Sequence, residues 1–261
     1  YTLSQALEKP GRSAPEKAIS LTERRSPQYL SAQWDFLPDE GTGWQKIKVP
    51  PFWGAVEQFD HAENWKEVHT AFYASSFSCS ASLGSDRVFL CLEGVSMVCD
   101  VYLNGEKIGE HGGRFTPFEI DVTETLRQGR NELCLAVGDM THALDETKEA
   151  LLYQVGLMKL GGHTPDPFMP DHQFFGGIWQ PVYLERRPAF RVQKARVETS
   201  FREKKVKVHF FTEGCGSGIV RPFLTGPDGK QADVQFPSVP VTGAGEYTAE
   251  AEWPDPILWG V

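Results

Sequence analysis

The sequence predicts an all-β protein of two successive sandwich-like domains, and three observations carry that expectation. From Trp34 onward, short runs rich in Val, Phe, Tyr and Leu are separated by Gly, Pro, Asn and Asp, the punctuation of strands and turns. Asn104-Gly105 interrupts one of these runs, and that dipeptide supplies the two positive-φ residues of a type I′ hairpin turn. Farther on, Val206, Val208 and Phe210 alternate with Lys205, Lys207 and His209, as a half-exposed strand requires.

Taken in order, residues 1–25 carry five basic side chains (Lys9, Arg12, Lys17, Arg24 and Arg25) against Glu8, Glu16 and Glu23, with few large apolar ones. They read as an arm, extending to about residue 30, that lies across the surface or is partly mobile. Residues 31–187 then form the first domain. Its clearest stretch, "RVFLCLEGVSMVCDVYLNGEKIGEHGG", predicts the hairpin around Asn104-Gly105. "FTPFEIDVTETLRQGRNELCLAV" predicts a strand, a single turn of helix at Thr123–Leu126 capped by Asp121 or Thr123, a break at Gly129 and a strand over 132–137. Between Asp139 and Gln173 the pattern becomes a long loop carrying a short helix; connections of this length are often functional. "DHQFFGGIWQPVYLE" closes the domain. Gly176 and Gly177 weaken a strand and mark a bulge or close backbone approach, and a strand follows them. After the linker "ERRPAF", residues 188–261 form the second domain, with a turn at Pro227-Asp228-Gly229. Its 74 residues fall short of the roughly 100 of an immunoglobulin-type sandwich, so it reads as ending one or two strands early.

The balance of 26 basic and 35 acidic residues, −9 overall, repels a phosphate backbone and argues against nucleic acid or an anionic membrane as partner. No apolar run approaches the ~20 residues needed to span a bilayer. The chain opens on Tyr1, which leaves a removed leader open, and with it a cytoplasmic, periplasmic or secreted location. Cys79, Cys91, Cys99, Cys134 and Cys215 lack CxxC or finger spacing, so small buried apolar residues are expected rather than a metal site, with one or two disulfides left open. Neither a cofactor nor a metal is expected.

Together, "WQKIKVPPFWG", "FYASSF", "RVFLCLEGVSMVCDVYLNGEKIGEHGGRFTPFEIDVT", "GRNELCLAV", "GGIWQPVYLE" and "WPDPILWG" resemble the N-terminal half of glycoside hydrolase family 2, the β-galactosidase, β-glucuronidase and β-mannosidase group. The resemblance implies a jelly-roll sugar-binding domain followed by an immunoglobulin-like domain. It also implies a catalytic (β/α)₈ barrel, outside this chain, that holds both catalytic glutamates, so no catalytic residue is assigned here. Asp171, separated by five residues from Gly177-Ile178-Trp179, matches a family aspartate that binds the terminal sugar, and a carboxylate suits adjacent hydroxyls. His172 borders it as a second candidate substrate-binding residue. Some galactosidases carry an Asn where this chain has Val68, so that role is not transferred. The implied parent is a retaining, β-galactosidase-like enzyme with carbohydrate and the barrel as partners; a homo-oligomer of the parent is left open. A free-standing carbohydrate-binding module is the alternative reading.

The remaining motifs read as structural. "EHGGRFTPF" lacks a phosphate-loop setting and predicts a tight sheet crossing. No histidines show HExxH spacing, Trp44, Trp53 and Trp65 read as sandwich aromatics, and nothing pairs Glu93 and Glu119 as acid and nucleophile.

Overall fold

The computed structural model describes residues 17–38, 43–50, 68, 70–80, 82–138, 176–226, 232 and 234–254. The chain divides into two compact units, Tyr1–Arg186 and Arg187–Val261, and all their described regular elements are strands.

The strands of the first unit are β1 (Lys17–Ser20), β2 (Gln28–Tyr29), β3 (Gln33–Pro38), β4 (Gln45–Lys48), β5 (Thr70–Ser80), β6 (Arg87–Leu92) and β7 (Val95–Ser96). They continue with β8 (Val98–Leu103), β9 (Glu106–Gly112), β10 (Phe118–Asp121), β11 (Gly129–Gly138), β12 (Gly177–Ile178) and β13 (Val182–Arg187). One sheet runs β4-β3-β5-β11-β8-β9, with β1 also on β5; the other runs β10-β6-β13-β2, and β12 pairs with β7. This is the expected jelly-roll sandwich. Alternation explains its core: Trp34, Phe36, Tyr73, Phe77, Val101, Leu133 and Leu135 from one sheet meet Val88, Leu90, Leu92, Val182 and Leu184 from the other. Each large side chain withdrawn from water contributes about 1.5–3 kcal/mol before entropic costs.

The Asn104-Gly105 turn forms as expected, with φ of +54° and +88° between β8 and β9. The expectation for the N-terminal stretch differs from what is observed. From Lys17 the N-terminal stretch is no surface arm: β1 pairs parallel to β5, and Ile19 and Leu21 are 2% and 0% exposed. Two apolar residues at period 2 suffice to bury it, despite the surrounding charge. The expected single turn of helix at Thr123–Leu126 forms as one α-type bond, from the Leu126 N–H to the Val122 carbonyl at 2.8 Å. Its predicted cap is present, since Asp121 accepts from both the Thr123 amide and hydroxyl. Gly129, the expected break, opens β11 at a φ of +79°. The helix expected within 139–173 and the Pro227-Asp228-Gly229 turn lie outside the described residues.

The second unit comprises β14 (Arg191–Ser200), β15 (Lys205–Glu213), β16 (Ser217–Val220), β17 (Val239–Thr242) and β18 (Gly245–Glu252). Sheets β14-β15-β18 and β16-β17 enclose Val208, Phe210, Val241 and Ala249, with Phe190 and Val192 packed against them, an immunoglobulin-like arrangement. The Tyr247 hydroxyl donates to the Thr242 carbonyl at 2.7 Å and accepts from its amide at 2.9 Å. That pins the β17–β18 turn.

Candidate functional site at the stem of segment 139–175

The structure describes both ends of the long segment that carries Asp171 and His172; these two residues themselves lie outside the described residues. β11 ends at Gly138, paired with Val98, and the Met97 amide donates to the Gly138 carbonyl at 2.6 Å. The chain returns at Gly176, and β12 places Gly177 opposite Ser96 and Ile178 opposite Val95. Both ends of the segment are therefore fastened to four consecutive residues, 95–98. Gly177 holds a φ of +113°, a conformation in which other residues are strained. This answers why two glycines precede the strand: the entry angle requires one of them.

Trp179 locks that entry. Its amide donates to the Gly94 carbonyl at 3.1 Å, and its indole lies so close over Gly94 that a Cβ there would come within 2.7 Å of the ring. The indole N–H donates to the Arg114 carbonyl at 2.9 Å, and Phe115 meets the ring edge-on at 5.7 Å. Arg114 Nε in turn donates to the buried Ser96 hydroxyl at 3.2 Å, and the Gly113 amide to the Met97 carbonyl at 2.8 Å. The Gly112-Gly113 crossing thus buttresses the stem, as its structural reading expects. Beneath it the Tyr73 phenol is fully buried against the Ile178 backbone, and burial pushes its pKa up. Beside it His111 stacks on Phe118 at 4.1 Å, and desolvation lowers its pKa.

The stem is aromatic and backbone-bonded, with Arg114 as the charged side chain described above. Among the described residues no group of His, Cys, Asp and Glu could hold a metal ion. Val68 is buried in the sandwich core. Sequence reasoning missed Ser96, Arg114 and Tyr73 as stem residues. The one signal was Gly94, which falls between β6 and β7 where the stretch divides into β6, β7 and β8.

The family described as glycosyl hydrolase 2 galactose-binding domain-like matches residues 45–184, more than half of the chain and the whole span from β4 into β13, stem included. The chain belongs to this family. Its galactose-binding-like domain is similar to a β-galactosidase of Thermoanaerobacter pseudethanolicus, 32% identical over 163 residues, covering 61% of this chain and 19% of that protein. It is also similar to a mannosylglycoprotein endo-β-mannosidase of Lilium longiflorum, 30% identical over 198 residues, or 70% and 20% of the two chains. The solved β-D-glucuronidase of Dictyoglomus thermophilum superposes with a TM-score of 0.61 at 18% identity, covering 91% of this chain and 39% of that one; this likeness is one of fold. The chain thus spans about a fifth of the length of the curated relatives it matches.

Proposed function

We propose that this chain is the non-catalytic N-terminal part of a family 2 glycosidase that hydrolyses terminal β-glycosidic bonds and is β-galactosidase-like. In that enzyme it scaffolds the catalytic barrel and lends Asp171 to the sugar pocket. The observation that carries the reading is the stem: a family-2 domain fastens both ends of segment 139–175 to residues 95–98. Such anchoring gives a sugar-binding loop a fixed base, and its Asp171 keeps the family spacing to Gly177-Ile178-Trp179. The likeness to a β-galactosidase of Thermoanaerobacter pseudethanolicus supports the substrate class.

The test is steady-state kinetics of the complete enzyme on nitrophenyl β-glycosides. Losing one charged hydrogen bond to a sugar hydroxyl costs about 1.5–3 kcal/mol, so Asp171→Ala is expected to lower kcat/KM roughly ten- to hundredfold with an unchanged melting temperature. Kinetics equal to wild type return Asp171 to an ordinary loop. The 261-residue chain alone is expected to show no turnover. Tight glycan binding by it, without a barrel encoded downstream, would favour the free-standing binding module instead.

A further inference from the structure

We infer that His111 is a protonation switch for the stem: its neutral ring holds the 112–117 crossing in place, and a proton on it loosens the crossing and the bond that the crossing makes to Trp179. The ring sits at one edge of the sandwich, between β9 of the first sheet and β10 of the second. It lies flat on Phe118 at 4.1 Å and 10°, and its Nε2 meets the Thr116 hydroxyl at 3.2 Å. The crossing wraps it closely, since a Cβ at Gly113 would come within 2.7 Å of the Thr116 hydroxyl and 3.3 Å of His111 Nε2. Along the same edge a Cβ at Gly109 would come within 2.7 Å of Ile120, so β9 and β10 have no slack there. The crossing passes its position to the stem through the Gly113 amide on Met97, Arg114 Nε on Ser96 and the Trp179 indole on the Arg114 carbonyl. His111 itself is half-buried, so a proton reaches it while the fold is intact.

The surroundings favour the neutral ring. On its side of the neighbouring strands stand Cys99 and Val101 of β8, Gly109 of β9, and Phe118 and Ile120 of β10. Burial holds the Cys99 thiol well above its ordinary pKa and so uncharged. Asp100, Glu110, Glu119 and Asp121 alternate to the opposite faces of their strands, and Lys107 bonds the first two at 3.0 and 2.8 Å. The charged side chain of the crossing is Arg114, a cation that offers an imidazolium no compensation. Desolvation accordingly lowers the His111 pKa, outweighing a Thr116 backbone bond that favours the proton. The Phe118 face accepts a cation, so the stack does not eject the ring. The strain falls on the crossing instead: a charged ring makes Nε2 a donor, so the Thr116 hydroxyl has to accept from it, and the ring edge recovers water only where the crossing opens. A folded pKa below the unfolded value near 6.5 gives stability that is complete above that value and declines as pH falls through it toward the folded one. The inference concerns the regulation of the stem and stands whether or not Asp171 binds sugar.

Heteronuclear NMR of the nitrogen-labelled 261-residue chain from about pH 8 to about pH 5 tests it. The His111 ring and Trp179 indole signals are assigned by their loss in His111→Phe and Trp179→Phe. In the wild type the ring is expected to titrate below about 6.5, and the Trp179 indole N–H to shift with the same midpoint. His111→Phe keeps an aromatic stack on Phe118 without a titrating group, and His111→Gln keeps a hydrogen-bonding partner for Thr116. In either variant, its fold verified by a dispersed spectrum, the Trp179 signal is expected to stay fixed over the same range. A Trp179 signal that stays constant in the wild type while His111 titrates overturns the inference. So does a His111 midpoint at or above its ordinary value, or a Trp179 shift that persists with unchanged midpoint in a folded variant, which assigns the response to another group such as His172.

Discussion

Asp86 is 3% exposed and collects charge from both ends of the first unit. Arg24 grips it through two nitrogens at 2.8 and 2.9 Å, and Arg186 adds a third bond at 2.7 Å. Arg186 also donates from its two terminal nitrogens to the Leu21 and Leu83 carbonyls. The clamp ties the segment after β1 to the end of β13. Hydrogen bonding from Arg24, aided by Arg186 and opposed by burial, holds the carboxyl below its ordinary range. Removing one partner of a buried ion pair leaves the other uncompensated, so Asp86→Asn is expected to cost about 3 kcal/mol at neutral pH. A depressed folded pKa means the contribution is complete above the unfolded value near 4 and fades as pH falls through the folded one. Urea midpoints of wild type and variant should therefore converge in acid; a gap that stays constant from pH 7 to about pH 2.5 rejects the clamp.

At the scale of elements, the β8–β9 hairpin shows which part of a motif can be read locally. Asn104-Gly105 announces the turn because few other residues accept positive φ in succession. It does not announce that the Asn104 side chain also donates to the Thr125 carbonyl at 2.9 Å and to Asn131 at 3.0 Å, or that it accepts from the Glu132 amide at 3.0 Å. The fully buried Asn131 completes this network by bonding Arg127 and Gly129 backbone groups. A turn residue thus fastens one hairpin to the loop ahead of β11. Asn104→Gly separates the two roles, since glycine takes the same φ without strain. If the side-chain bonds matter, the variant loses about 2 kcal/mol in chemical denaturation; an unchanged midpoint would mean that only the turn conformation counts. The stem is similarly divided. The glycine pair before Ile178 was legible as an unusual backbone path, whereas Ser96 and Arg114 were not, because their partners are distant in sequence.

For the whole molecule, the all-β class was legible because a period of two reports directly which face each strand buries, from Val101 and Leu103 to Val206, Val208 and Phe210. What escaped were features set by tertiary pairing: β1, whose signal is two residues long, and the Asp86 clamp, whose partners lie 62 and 100 residues away. Asp171 was legible only through its family spacing, since a lone aspartate in a loop has no local signature. The cysteines yield to the same logic of faces, and they give a test of the entire fold at once. Cys79, Cys91, Cys99 and Cys134 are buried, Cys215 is exposed, and all five are free thiols. Reaction requires a thiolate, and burial additionally lifts the pKa of Cys79 and, more strongly, Cys99. A thiol reagent at neutral pH is therefore expected to label one cysteine rapidly in the native chain and all five once it is denatured without reductant. Cys215→Ser should abolish the fast phase and leave four. Two or more fast equivalents would show that the sandwich does not bury its thiols as described, and fewer than five in denaturant would reveal a disulfide.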